Sequence, residues 1–467
     1  MTTTEDVESL TNIARRAERY AAGKALRAKA PRISHGEWAS AADRPDPIRL
    51  LEEENRTRVP ELVPIRYGRM SLSPFAFLRG SARVMAIDLS KTPVSGIQAQ
   101  ICGDAHLSNF GIFATPERNL VFDVNDFDET LPGPWEWDLK RLAASIVVAG
   151  RQHGYSAQEN RQAVVGCVEE YHRLMRQMAN MGALDIWYQH LDLGELLEMA
   201  KPKGREELQK QIAKAKQRRT NLGTFPKMAE QVEGTYRIKD EPPLIVHIEE
   251  MDDLKKTQAA EAEVVKKAFD AYIKTLSDDR KVLISKYHFV DIARKVVGVG
   301  SVGTRCWVML FMSGGDGNDP LFLQAKEANA SVLEPYLGNS KYTNHGERVV
   351  QGQRLMQEAS DIFLGWTHGQ VVDLYIRQLR DMKLSEEIAL LTKKQFDRYA
   401  RLCAMALARA HARSSDPAMI SGYLGNSDTF AQAIARFAEA YADQTERDHA
   451  ALLAAIKEGR IQAIVDV

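Results

Sequence analysis

Asp104 and Asn109 stand five positions apart in Gly103-Asp104-Ala105-His106-Leu107-Ser108-Asn109, and Val124-Asn125-Asp126-Phe127-Asp128-Glu129 follows shortly after. These residue types suit phosphoryl transfer. One carboxylate must accept a hydroxyl proton, while an amide oxygen and a second carboxylate hold magnesium against nucleotide phosphates. Asp104 is the expected proton acceptor. Asn109 and Asp126 are the expected metal ligands, with Asp123 and Asp128 as rivals to Asp126. Loop carboxylates and amides also cap turns, which is the plainer reading of such a stretch.

The remaining parts of such a site lie much later in the chain. Gly298-Val299-Gly300-Ser301-Val302-Gly303 is a GxGxxG run. In a dinucleotide-binding unit it should open a helix, but Thr304 to Met312 continues as a strand. The glycines therefore read as a flexible hairpin whose backbone amides, those of Gly298, Gly300, Ser301 and Gly303 among them, cover phosphates. Lys326 ends the apolar run Leu321-Phe322-Leu323-Gln324-Ala325-Lys326 and reaches toward the same phosphates. It then needs an acidic partner on a nearby helix, with Glu347 first, Glu358 second and Glu334 third.

These residues require positioning elements. Ser73 caps a helix expected over 73–89, with Pro74 at its first position. Ile97 to Ile101 reads as a strand entering the first loop, and Leu120 to Val124 as a second strand. A helix is expected over 138–149, where Asp138 either anchors the loop behind the site or caps the helix. Residues 157–190 read as helical. Strand-like runs cover 295–300, 305–312 and 321–325, joined by the turn-rich 313–320. A helix follows over 347–359, then strands over 362–366 and 371–379, and helices from 386 to the end.

The chain has 467 residues, 44 % apolar and 27 % charged, with net charge −1. That length supports more than one lobe, and the charge provides no field that steers the chain to nucleic acid or to a membrane. Eight Lys and Arg residues fall in 198–220, read as a solvated helix because no aromatic residues interleave them. Cys102, Cys167, Cys306 and Cys403 form no CxxC pair, which fits a reducing compartment and no zinc site. The first residues lack the basic and apolar regions of a signal peptide, and the run Leu142 to Gly150 is too short to span a bilayer. The expected address is the cytoplasm.

The motifs resemble those of the aminoglycoside- and choline-kinase branch of the protein-kinase-like fold. That branch has His-Gly-Asp-x-His-x-x-Asn, an Ile-Asp-Phe-like strand end, and Gly-Asp-Pro-x-x-Asp-Leu. The counterparts here are Cys102 to Asn109, Val124-Asn125-Asp126-Phe127, and Gly133 to Leu139. This alignment favours Asp126 over Asp123. Cys102 replaces a histidine that orients the loop. The order also differs, because the family's glycine hairpin and lysine precede the catalytic aspartate. The resemblance implies an α+β, helix-rich, two-lobed kinase-like fold in circularly permuted order. Permutation is tolerated where the original termini lie together at the surface.

The implied organisation is an N-terminal helical extension (1–60), a catalytic-loop part of the helical lobe (61–190), a charged insertion of unknown role (191–289), a β-rich nucleotide lobe (290–385) and C-terminal helices completing the helical lobe (386–467). Residues near Tyr375 to Leu379 would face adenine. The implied activity is transfer of the γ-phosphoryl group of ATP, with Mg2+, to a hydroxyl acceptor of unknown identity. Nucleotidyl (AMP) transfer and non-catalytic nucleotide binding are the alternatives. Over nearly its full length the chain is also similar to a bacterial family filed as a domain of unknown function, through GDAHLSNFG, NDFDE and PWEWDLKRLA.

Overall fold

The computed structural model describes residues 14–465 apart from 195–204, 207–208, 211, 214–223, 248–257, 315–318, 370, 380–382 and 385–386. The basic run 198–220 falls largely outside the described residues, as does the tip of the 313–320 connector.

The chain is α+β and helix-rich. The first part holds α1 (Arg16–Ala25), α2 (Pro47–Asn55), α3 (Val63–Ser71), α4 (Pro74–Gly80) and α5 (Ala82–Ser90). Ser73 caps α4 through its hydroxyl, which accepts from Ala76 N at 3.1 Å. The single helix expected over 73–89 is two helices. Gly80 is a poor helix former, its carbonyl accepts from the Arg66 guanidinium at 2.8 Å, and Ser81 breaks the helical backbone at ψ 41.

Four short strands follow: β1 (Gln98–Ile101), β2 (Phe110–Ala114), β3 (Leu120–Val124) and β4 (Leu131–Pro134). β1 pairs with β4 and β2 with β3, each antiparallel. Two long helices, α6 (Trp135–Gln152) and α7 (Ala157–Met178), precede the short α8 (Ala183–Tyr188). α6 is buried nearly all round, as a helix at the centre of a core must be. In it Trp135 stacks on Tyr171 of α7 with centroids 5.5 Å apart. α7 starts at a capping box of Ser156 and Glu159.

The next described elements are α9 (Phe225–Met228), β5 (Ala229–Val232), β6 (Thr235–Ile238), β7 (Ile245–His247), α10 (Gln258–Lys274) and α11 (Asp278–Ile284). Then come β8 (Tyr287–Lys295), β9 (Cys306–Ser313), β10 (Asp319–Ala328), α12 (Glu334–Leu337), α13 (His345–Met356), β11 (Gly365–His368) and β12 (Asp373–Gln378). A six-stranded antiparallel sheet has the order β11-β12-β10-β9-β8-β7. It draws on residues before 290, because β7 and the start of β8 belong to it. The strand expected at 295–300 is β8 instead, and it ends where Gly298 and Gly303 take left-handed φ of 66° and 88°. α13 starts before Glu347 because the Asn344 side chain caps it, accepting from Glu347 N at 2.9 Å.

Both faces of the sheet are covered. Val308, Leu310 and Met312 of β9 join one apolar cluster with Phe322, while Met309 and Phe311 join the other with Tyr272 of α10. This two-sided burial explains why β9 and β10 read as continuous apolar runs rather than alternating ones. The chain closes with α14 (Lys393–Ser414), α15 (Pro417–Leu424) and α16 (Thr429–Lys457). α14 lies against α7, and α16 against α6 and α7, so the last helices share one large core with the loop that begins at Cys102.

Candidate functional site

The loop between β1 and β2 is held from behind. Asp138 sits in the first turn of α6. Its Oδ2 accepts from Cys102 N at 2.8 Å and its Oδ1 from Gly103 N at 2.9 Å. Asp138 therefore anchors the loop rather than capping its own helix. Its Oδ2 also lies 3.3 Å from His411 Nε2, and Tyr171 OH lies 2.9 Å from His411 Nδ1. One α6 turn further on, Arg141 donates from Nε to Asp104 Oδ1 at 2.7 Å and from Nη2 to Leu78 O at 2.6 Å. Asp104 keeps 19 % side-chain exposure. Burial raises its pKa against the opposing pull of Arg141. Burial, reinforced by Arg79 and Arg141, holds the adjacent His106 well below the ordinary imidazole value and therefore neutral.

Asn109 donates from Nδ2 to Asp104 O at 2.6 Å, which leaves its amide oxygen as a possible ligand atom. Asn125 N donates to Asn109 O at 2.8 Å, linking this loop to the end of β3. Beyond β3, burial and the neighbouring Asp128 raise the Asp126 pKa against Lys326 and Arg377. For Asp128, burial acts upward but is outweighed by Lys326 and the Tyr375 hydroxyl, so its pKa is lowered.

Lys326, buried on β10, makes a short ion pair with Asp128, and its Nζ is 3.9 Å from Asp126 Oδ2. Tyr375 OH donates to Asp128 Oδ1 at 2.8 Å, and Ser301 Oγ to Asp128 Oδ2 at 3.4 Å. Lys326 therefore does not pair with the expected helical glutamates. Glu347 is in the first turn of α13 and lines neither cavity described below. Glu358 accepts from Leu191 N, and Glu334 from Ser331 N. The lysine meets acids two residues apart on a facing loop, so the helix is not needed. Tyr375 is turned toward Asp128, while Gln378 and Leu379 of the same segment line the second of the cavities described below.

Asp123, a rival for the metal, is fully buried and pairs with Arg409 of α14 at 2.5 Å. It lines neither cavity. The glycine turn is clamped rather than free. Arg69 donates to Gly298 O at 2.7 Å, Arg58 to Val302 O at 2.6 Å, and Val59 N to Gly303 O at 2.8 Å. Val299 and Val302 pack into apolar clusters built by α2, α3 and α4. Gly300 approaches Arg79 closely, since an added Cβ would lie 3.0 Å from Arg79 O.

Two adjoining cavities meet at this site. One, of about 490 Å3, has Asp104, Asn109, Asp126 and Gly300 in its wall, with Glu53 and Tyr336 further out. The other, of about 550 Å3, has Lys326, Gln324, Arg377 and Gln378 in its wall. Asp126, Arg79, Gly298 and Ser301 belong to both. Asp126 and Asn109 supply two hard oxygen donors, the number magnesium usually takes from protein before water and phosphate complete its shell. Among the described residues no cluster of three or more His, Cys, Asp or Glu suits a metal.

Sequence reasoning passed over Arg141, His411, Arg79 and Arg377. Arg141 could have been found, because it lies three residues after Asp138 and so on the same helix face. The other three carry no local signal.

Fold and site together define an α+β protein with a charged cleft between a helical body and a six-stranded sheet. The chain belongs to the bacterial family described as "Uncharacterized protein conserved in bacteria (DUF2252)", whose model matches residues 58–455. No curated protein and no solved structure matches the chain. Among the described residues no helix is long and apolar enough to cross a membrane.

Proposed function

We propose that the protein is a permuted member of the kinase-like class that uses ATP and magnesium to phosphorylate a hydroxyl acceptor. One observation carries the reading: Lys326 reaches Asp126 and Asp128, the latter 198 residues earlier in sequence, in one cleft. The residues that this reading assigns to phosphotransfer thus come together in space although they lie far apart in sequence. The glycine turn joins β8 to β9, and the lysine lies on β10, the third strand of the same meander. α13 then follows β10 and packs on the sheet.

In this reading Asp126 and Asn109 would hold magnesium, which would supply positive charge against the nucleotide phosphates. Lys326 adds positive charge beside them, and Asp128 with Tyr375 fixes the lysine. Asp104 accepts the acceptor hydroxyl's proton as its oxygen bonds to the γ-phosphorus. The bond from that phosphorus to the β–γ bridging oxygen breaks, and ADP leaves. A carboxylate whose pKa burial has raised is a stronger proton acceptor than a free one. Most of the rate enhancement comes from positioning and fixed charge.

A second reading, AMP transfer with the nucleotide reversed, draws support from the far cavity. Gln324, Gln353, Gln357, Asp361 and Arg377 in its wall are polar, where a purine usually meets a mainly apolar one. Calorimetry with Mg·ATP, followed by product analysis, tests both readings. ADP supports phosphoryl transfer and pyrophosphate supports AMP transfer. No Mg·ATP binding refutes both.

A further inference from the structure

The two cavities share four residues, Arg79, Asp126, Gly298 and Ser301. If nucleotide and acceptor occupy one cavity each, the group that passes between them crosses at that junction. Among the four, only Arg79 is a cation. It comes from α4, a part of the chain outside every motif singled out in the sequence.

Among the described residues Arg79 has no counter-ion within ion-pair distance. Other arginines nearby are committed: Arg58 to Glu54, Arg83 to Glu53 and Arg141 to Asp104. Among the described residues Arg79 makes no ion pair, and its Nε is buried without a hydrogen-bond partner. An uncompensated, partly buried guanidinium is costly unless a ligand completes it. Burial lowers its pKa, with Asp104 acting against that, which places the guanidinium within the field of Asp104.

Its backbone is fixed on both sides. Leu78 O accepts from Arg141, the same residue that holds Asp104, and Gly80 O accepts from Arg66. The turn presenting Arg79 is thereby registered to Asp104 through one shared guanidinium. Gly300 of the glycine turn packs against the Arg79 carbonyl. Such a preorganised donor set stabilises charge that develops only during reaction.

We propose that Arg79 is a catalytic residue that donates to the γ-phosphoryl oxygens in flight, the counterpart in cis of an arginine finger. This rests on the phosphotransfer reading above. Lys326 serves the nucleotide side and Asp104 the acceptor side, while Arg79 serves the group between them. It takes no proton and forms no covalent bond.

The test uses the full chain, with R79M and R79K checked for folding by thermal melting. Retention of Mg·ADP is measured with and without aluminium fluoride, which imitates the phosphoryl group in transfer. Wild type should hold Mg·ADP far more tightly with the fluoride. R79M should lose on the order of 10²–10³-fold of that enhancement, with Mg·ATP affinity changed about threefold or less, and R79K should keep an intermediate part. Full enhancement in R79M overturns the proposal, as does an equal loss with and without fluoride. If wild type binds Mg·ADP but gains nothing from fluoride, Arg79 has no such role although nucleotide binding stands. If wild type binds no magnesium nucleotide at all, the phosphotransfer reading fails and the proposal with it.

Discussion

Asp104 is the residue on which chemistry and binding separate. In the proposed reading it lies on the acceptor side, and Arg141 pins it. Asp104→Asn keeps the shape and one hydrogen-bond acceptor but removes proton-accepting capacity. Turnover should fall on the order of 10²–10⁴-fold, while calorimetric Mg·ATP affinity stays close to wild type. Normal turnover would leave Asp104 as a loop-shaping residue only. Glu358 gives a second test at this scale. Burial raises its pKa to about 7, and Asp123 adds to the rise. Its ordinary value is 4.5, so between about 4.5 and about 7 the folded chain binds a proton that the unfolded chain does not. Stability must then fall as pH rises through that window. Glu358→Gln should flatten this slope and raise the melting temperature at pH 8 relative to wild type, with little change at pH 4.5. A pH-independent difference would remove Glu358 as the cause.

At the scale of elements, two aspartates three positions apart have opposite work. Asp123 ends inside the core, tying β3 to α14 through Arg409, while Asp126 projects into the cleft. Asp123→Asn leaves Arg409 buried with Nε and Nη1 already unpartnered, so unfolding should become easier by about 3–5 kcal/mol. Mg·ATP affinity in the fraction that folds should be unchanged. Asp126→Asn should instead abolish most Mg·ATP affinity at little cost in denaturant midpoint. Exchanged results would move the metal role to Asp123. The anchor from α6 to the loop after β1 is a further element-scale device. Asp138→Ala strips the partner from two backbone amides, each worth about 1–3 kcal/mol when buried unpaired. Urea melts should show a loss within the sum of those two, and a loss below 1 kcal/mol would mean that water or a rearranged loop replaces the carboxylate. The loop, β3 and α6 were legible in sequence because their signals are local: a strand end, a proline-glycine break, an apolar helix. The break at Ser81, the start of β8 and the partner of Lys326 were not. Each is decided by a side chain or strand that arrives from far along the chain, such as Arg66 on the Gly80 carbonyl or Asp128 on Lys326.

Across the whole molecule, the cleft is built from segments that are far apart in the chain. Residues 102–109 and 124–129 come from the helical body, 298–303 and 326 from the sheet, and the clamp on the glycine turn from α3 and the segments flanking it. Sequence pattern singled out these segments but could not place α3 and α4 against the glycine turn. Arg58, Arg69 and Arg79 look like ordinary helix-surface arginines until Gly298, Val302 and Gly300 are beside them. That placement yields a prediction that no single segment makes. Mg·ATP bridging the cleft should slow amide hydrogen exchange together at 103–109, 124–128 and 298–303, segments separated by up to about two hundred residues of chain. Exchange in β2, which lines the cleft only at its end, should change less. The clamp limits the size of the effect at the glycine turn, because those amides already sit on a packed turn, so protection should grow by slowed local opening rather than by ordering of a loose loop. Protection confined to 298–303 would mean that nucleotide binds the sheet alone, and the joining of the two halves in one site would then be refuted.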